Sequence, residues 1–351
     1  MRVCRTMAIP AVLLTAAVTA VSGAASDPLA WLTTMGMVDA SDRSTVEAGG
    51  VAITVLPARG RDLAVLGITS THAAGARVAA WARTPEQLYK GRYVPAIGRF
   101  SDPPQLDDLA TLALDDEDVN DLRKCRVAAC DLKLSAPEIL RMRDAITAAG
   151  PQWKTAAQDA FRDIVLARAE AYLAAGLGGL APYHDRKKPV SPAEEYADIE
   201  AHVGFEALFG PRVLPHFRLY PGTDGEGVES FLYWSKETIG GAKPIVSITH
   251  MSIFRSLQPD GPGTLIAARQ VFASHYLTGS LSITAITGGV GNTPNYLVYI
   301  RRSRTDAFDG RFGRLIRHMV EGRIRSDAPA VLDALRRKIE GRDPPGSDST
   351  R

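Results

Sequence analysis

The sequence predicts an α+β protein: an antiparallel β-meander with a C-terminal amphipathic helix packed on it, and a helical insertion ahead of the meander. Five β-branched or aromatic runs follow Pro221, each bounded by glycine, proline or Asp-Gly signals, and their short connections favour antiparallel neighbours. After them, Phe308, Phe312, Leu315, Ile316, Met319, Val320 and Ile324 recur at helical spacing. Ahead of them, residues 135–219 read as a helical block.

At the N-terminus Arg2 and Arg5 precede the uncharged run Met7–Val21, and Ser22-Gly23-Ala24-Ala25 follows. A basic region, an apolar core and a small-residue site in this order make residues 1–25 a signal peptide, cleaved near Ala24 or Ala25. The run is too short for a membrane anchor, which needs about 20 apolar residues, and Pro10 interrupts it. The expected location is therefore periplasmic or secreted. Residues 26–341 are read as a single α+β domain, and 342–351 as a disordered polar tail.

Removing Arg2 and Arg5 leaves basic and acidic side chains equal in number. A balanced surface gives no electrostatic case for a nucleic-acid partner. Cys125 and Cys130 survive processing, and an even pair in an oxidising compartment predicts a disulfide. The four residues between them allow the loop to close. Neither a CxxCH haem signature nor an HExxH metal signature occurs, so no cofactor and no metal are expected.

Further along, Val51–Leu56 and Leu63–Thr69 flank Pro57-Ala58-Arg59-Gly60 as a hairpin. A helical stretch runs from Ala74 to about Lys90, restarting at Pro85 behind the Thr84 cap. Eight acidic residues and no basic one lie between Asp102 and Asp121; lacking the loop pattern of a calcium site, they read as a solvated acidic surface. In the helical block, Ser135-Ala-Pro-Glu138 and Ser191-Pro-Ala-Glu194 are capping boxes. Between them Trp153, Ala157, Phe161, Ile164, Val165, Tyr172 and Leu173 mark one long amphipathic helix ending at Gly176.

The meander strands are expected at Glu229–Glu237, Pro244–Phe254, Thr264–Tyr276, Leu281–Thr287 and Tyr296–Arg302. A helix from Thr305 to Arg325 closes it, and a separate helix follows from Pro329 to Glu340 with Asp327 as cap. Arg311, Arg314 and Arg325 fall on one side of the closing helix, where they are candidates for peripheral contact with a membrane or an acidic partner.

Candidate chemistry lies on the strands. Val246, Ile248, His250, Ser252 and Phe254 share one face of the second; Leu265, Ala267, Arg269, Val271, Ala273 and His275 share one face of the third. Polar groups among apolar ones suit a partly enclosed cavity, where apolar walls desolvate a ligand and a few polar groups orient it. Tyr233, His250, Arg269, His275 and Tyr276 are the ligand-binding candidates. His250 and His275, with Glu237 or Tyr276 to orient them, are candidate base and acid if they meet in one cavity. No Gly-x-Ser-x-Gly elbow points to nucleophilic catalysis, and Gly288-Gly289-Val290-Gly291-Asn292 joins strands rather than a strand to a helix, so it reads as a hairpin loop.

This order of elements resembles the START-like, or helix-grip, superfamily: an early strand at Leu63–Thr71, helices, a meander from Glu229 to Arg302 and a closing helix from Thr305 to Arg325. The resemblance covers about half the mature chain and rests on arrangement, so no binding residue is carried over by motif. It implies a cavity between curved sheet and closing helix that takes lipids, sterols, polyketides or other apolar molecules, more often to bind than to transform them. The helical block departs from the pattern. The whole chain is also similar to exported bacterial proteins, which implies no mechanism.

Overall fold

A computed structural model describes residues 29–201, 213–222, 227–238, 242–255, 264–287 and 294–341. The expected signal peptide, the loop at 288–292 and the tail at 342–351 lie outside these residues. Eight strands form one sheet, β1 Val51–Leu56, β2 Asp62–Thr71, β3 Ala96–Arg99, β4 Val228–Glu237, β5 Ile245–Arg255, β6 Thr264–Ala273, β7 Leu277–Thr287 and β8 Asn295–Thr305, in the order β1-β2-β8-β7-β6-β5-β4-β3. Every pairing is antiparallel.

Helices cover both faces. Short α1 Ala30–Thr34 and α2 Ala40–Glu47 lead into β1, while α3 Gly75–Ala82 and α4 Pro85–Tyr89 follow β2. Next come α5 Asp116–Leu122, α6 Ala136–Ala148, α7 Trp153–Ala175, α8 Pro192–Glu200, a helical segment at 213–219, and α9 Gly313–Glu340 after β8. On the near face α3, α4 and α9 bury Val78, Ala82, Leu88, Leu332 and Ile339 against Phe231, Met251, Ile253, Ile266, Ile286 and Leu297. On the far face α6, α7 and α8 set Ile139, Phe161, Ile164, Tyr172 and Ile199 against Leu66, Trp234, Ile248, Phe272, Leu281 and Val298. Strand alternation makes this division: even positions of β8 enter the far core and odd positions face α9.

The helical block therefore forms the second wall of the sheet. Its boundaries follow from chemistry legible in the chain. The expected Ser135–Glu138 capping box forms, the Ser135 amide donating to Glu138 Oε2 at 2.6 Å. α7 stops at Gly176, where φ is +55° and a Cβ would stand 2.0 Å from the Tyr220 carbonyl oxygen. Elements α1, α2, α5 and β3 were not among those expected; β3 exists because Phe100 and its neighbours pair with the outer side of β4.

Two expectations near the C-terminus are corrected. The chain after β8 first makes a short turn, Asp306–Phe308, which buries Phe308, and α9 then runs unbroken to Glu340 with Pro329 inside it. A proline removes one helical hydrogen bond. The helix continues because Leu332 and Ile339 are buried beyond it and Gly341 closes its end in the left-handed conformation. The expected stripe is also split: Ile316, Val320 and Ile324 are half-buried, whereas Phe312, Leu315 and Met319 are exposed.

Candidate functional site

The centre of the near face is polar. Alternation places Tyr233 and Glu237 of β4, Thr249 of β5, Gln270 of β6, Ser280 of β7, and Tyr299, Arg301 and Ser303 of β8 on this side. Register aligns them: Tyr233 opposes Thr249, Ser280 opposes Ser303, and Tyr299 opposes Gly67 of β2. Gly67 has a reason to lack a side chain, since a Cβ there would meet Leu332 at 3.0 Å and Ile53 at 3.1 Å. From the helical side Tyr89 of α4 stacks on Tyr233, ring centroids 6.2 Å apart.

Arg301 is the charged centre. Its Nε donates to Ser280 Oγ at 2.9 Å and Ser303 Oγ at 3.1 Å, and the two hydroxyls are themselves 2.9 Å apart. Desolvation opposes the guanidinium charge, but Tyr299, Glu237 and Tyr233 outweigh it and hold its pKa above the ordinary value. Glu237 is the carboxylate among these groups. Burial, then Tyr89 and Glu237, raises Tyr233 well above the usual phenol range; burial followed by Tyr299 does the same to Tyr89. Tyr89, Tyr233 and Arg301 are each half-buried, so side chains leave a recess in this part of the near face.

The sequence candidates distribute over three places. Tyr233 and Glu237 line the near-face recess, Glu237 accepting from Ser235 Oγ at 3.0 Å. His250 and Arg269 are cross-strand neighbours on the far face, both without accessible surface. His250 Nδ1 lies 2.7 Å from Tyr172 Oη and its Nε2 lies 3.3 Å from Ser252 Oγ; Ser252 also bonds His216 and Ser230, each at 2.9 Å. Burial, then His216 and Arg269, holds the His250 pKa well below the usual imidazole value, so it is neutral. Arg269 is held by the Phe217 carbonyl at 2.6 Å and by Glu200 at 3.1 Å. These groups are sealed beneath α7 and the 213–219 segment.

His275 and Tyr276 form the third place, the tight turn between β6 and β7, where Tyr276 adopts φ +56°. His275 Nε2 is 3.2 Å from Asp118 Oδ1. The ring borders a cleft of about 120 Å³ shared with Asp131, Lys133, Asp185, Lys243 and Asp306. Asp118, Asp131 and His275 converge closely enough to hold a cation. The Lys243 ammonium already stands among them, bonded to Asp131 and Asp121 and 3.6 Å from Asp118, so the acids have their counter-ion. Among the described residues, His250 and His275 share no hydrogen-bond partner. Cys125 and Cys130 are joined as a disulfide beside this region.

Tyr89 and Arg301 escaped the sequence reading. The signal for Arg301 was present as Tyr299-x-Arg301-x-Ser303, polar groups at alternate positions opposite Val298 and Ile300. It was obscured because Arg302 and Arg304 make the whole run look like a solvated end.

No protein-family model matches the chain, and no curated protein matches it. Among solved structures the chain is similar to the ZhuI aromatase/cyclase from Streptomyces sp. R1128, at 18% sequence identity over 38% of this chain and 85% of that chain, with a TM-score of 0.25.

Proposed function

We propose that the protein is an extracytoplasmic binding protein for an amphipathic, lipid-like small molecule held in the near-face recess beneath α9, in the manner of helix-grip proteins. One observation carries this reading: tyrosines and an arginine ringed by protein but reachable by water, next to the apolar side chains that α9 and the sheet share. Apolar walls supply desolvation and the polar groups supply orientation. Native mass spectrometry and solvent extraction of the purified protein are expected to release a bound amphiphile. Tyr233→Ala and Tyr299→Ala should each weaken binding of dodecanol or dodecanoate by about tenfold, the scale of one lost aromatic contact. Unchanged affinity in both variants removes the recess as the site.

Peripheral membrane contact belongs to the same proposal. Phe312, Leu315 and Met319 are 71%, 58% and 63% exposed on one side of α9, flanked by exposed Arg311, Arg314 and Arg325. Apolar anchors beside arginines suit an anionic bilayer, from which an amphiphile could be taken. Co-sedimentation with phosphatidylglycerol vesicles should fall when the three arginines become glutamate, and in high salt. Export is tested by N-terminal sequencing of the mature chain, expected to begin after Ala24 or Ala25.

A further inference from the structure

Arg301 differs from every other arginine of comparable burial. Among the described residues, Arg43, Arg61, Arg83, Arg162, Arg168, Arg269, Arg302, Arg304, Arg317 and Arg336 are likewise not exposed, and each has a carboxylate oxygen within 4.0 Å. Arg301 makes no ion pair there: Glu237 acts on it from a distance, and only hydroxyls touch it. Removing a guanidinium from water without a partner is costly, and a fold that pairs its other arginines has left this one open inside a recess. Its Nε is fixed by the Ser280–Ser303 pair and the Tyr299 hydroxyl also reaches the guanidinium, which still leaves Nη donors for a planar, two-oxygen acceptor.

We infer that Arg301 receives an oxyanion group, carboxylate or phosphate, of the molecule bound in the recess. This rests on the recess reading and narrows it to acidic amphiphiles. The tyrosines take the ligand's body, Arg301 takes its acid group, and Glu237 keeps the cation from being wholly unbalanced when the recess is empty. The same Glu237 works against the bound anion, so affinity is set between the two.

The test compares dodecanoate and dodecyl phosphate with dodecanol and methyl dodecanoate by titration calorimetry on the mature protein. The acids are expected to bind at least about tenfold tighter than the neutral probes, the scale of one charge-assisted pair. Arg301→Met should erase that preference while leaving dodecanol affinity in place, and Arg301→Lys should keep part of it. Glu237→Gln should tighten the acids alone by several-fold. Ser303→Ala, which loosens Nε, should reduce the preference without abolishing it. Equal binding of acid and neutral probes by the unaltered protein, or a preference that survives Arg301→Met, overturns the inference. If Arg301→Met does not fold, the wild-type comparison and Glu237→Gln still decide it. Should neutral probes bind as well as acids and Tyr233→Ala weaken both, the recess stands and the oxyanion site falls; should nothing bind the unaltered protein, both fall. Displacement of dodecanoate by inorganic phosphate at equal concentration supports the oxyanion site and assigns it to the free ion.

Discussion

A buried histidine that resists protonation ties stability to pH. His250 is fully buried against Tyr172, His216 and Arg269, and its pKa is held well below that of the unfolded chain, near 6.5. Above about pH 6.5 both states are neutral at this residue and nothing changes. Below it the unfolded chain takes up the proton and the native state does not, so stability falls by up to about 1.4 kcal/mol per pH unit. Urea midpoints between about pH 5 and 7.5 should show this slope, and His250→Gln should flatten it. A second residue-scale effect comes from Glu138, whose Oε2 accepts from both Arg168 Nη2 and the Ser135 amide, each at 2.6 Å. Glu138→Ala strands the cation and uncaps α6, at an expected cost of about 3 to 5 kcal/mol in urea unfolding.

At the scale of elements, α9 is held mainly by its second half. Leu332→Ala should cost about 2 to 4 kcal/mol, while Met319→Ala, on the exposed side, should leave the melting temperature almost unchanged. This asymmetry was not legible in the sequence. The heptad-like stripe from Phe308 to Ile324 is the stronger pattern, yet a turn at Asp306–Phe308 takes Phe308 into the core and leaves Phe312 outside. Proline at 329 suggested a boundary, and the burial of Leu332 and Ile339 beyond it overrode it. The hairpin, the Ser135 cap, the long helix ended by Gly176 and the five meander strands were all readable, because each rests on local chemistry: alternation, caps, or a residue able to take positive φ. Which face of the meander would meet which helices was not. His250 and Arg269 looked like cavity groups because their neighbours alternate cleanly, but the face they share belongs to α7 and α8. Nothing in a strand's own sequence distinguishes one covered side from the other.

On the scale of the whole molecule, the sheet is a shared partition between a packed helical layer and a layer that leaves a recess. The disulfide sits in the packed half and closes a small loop, so Cys125→Ser with Cys130→Ser should lower stability by about 2 kcal/mol and leave the recess working. Thermal melts with and without a bound amphiphile separate the two effects, since binding should raise the midpoint equally in both proteins. β8 carries charged side chains on both of its faces. Its even arginines, Arg302 and Arg304, are clasped on the far side by Asp62, and Arg304 also by Glu195 and Asp198. A slip of one residue would tear those clasps apart and turn Arg301 into the greasy interior, because neighbouring positions on a strand look in opposite directions. The carboxylates beneath the sheet thus act as a ruler for the side chains above it, so that a change in Asp62 or Glu195 would displace Tyr299, Arg301 and Ser303 without ever touching them.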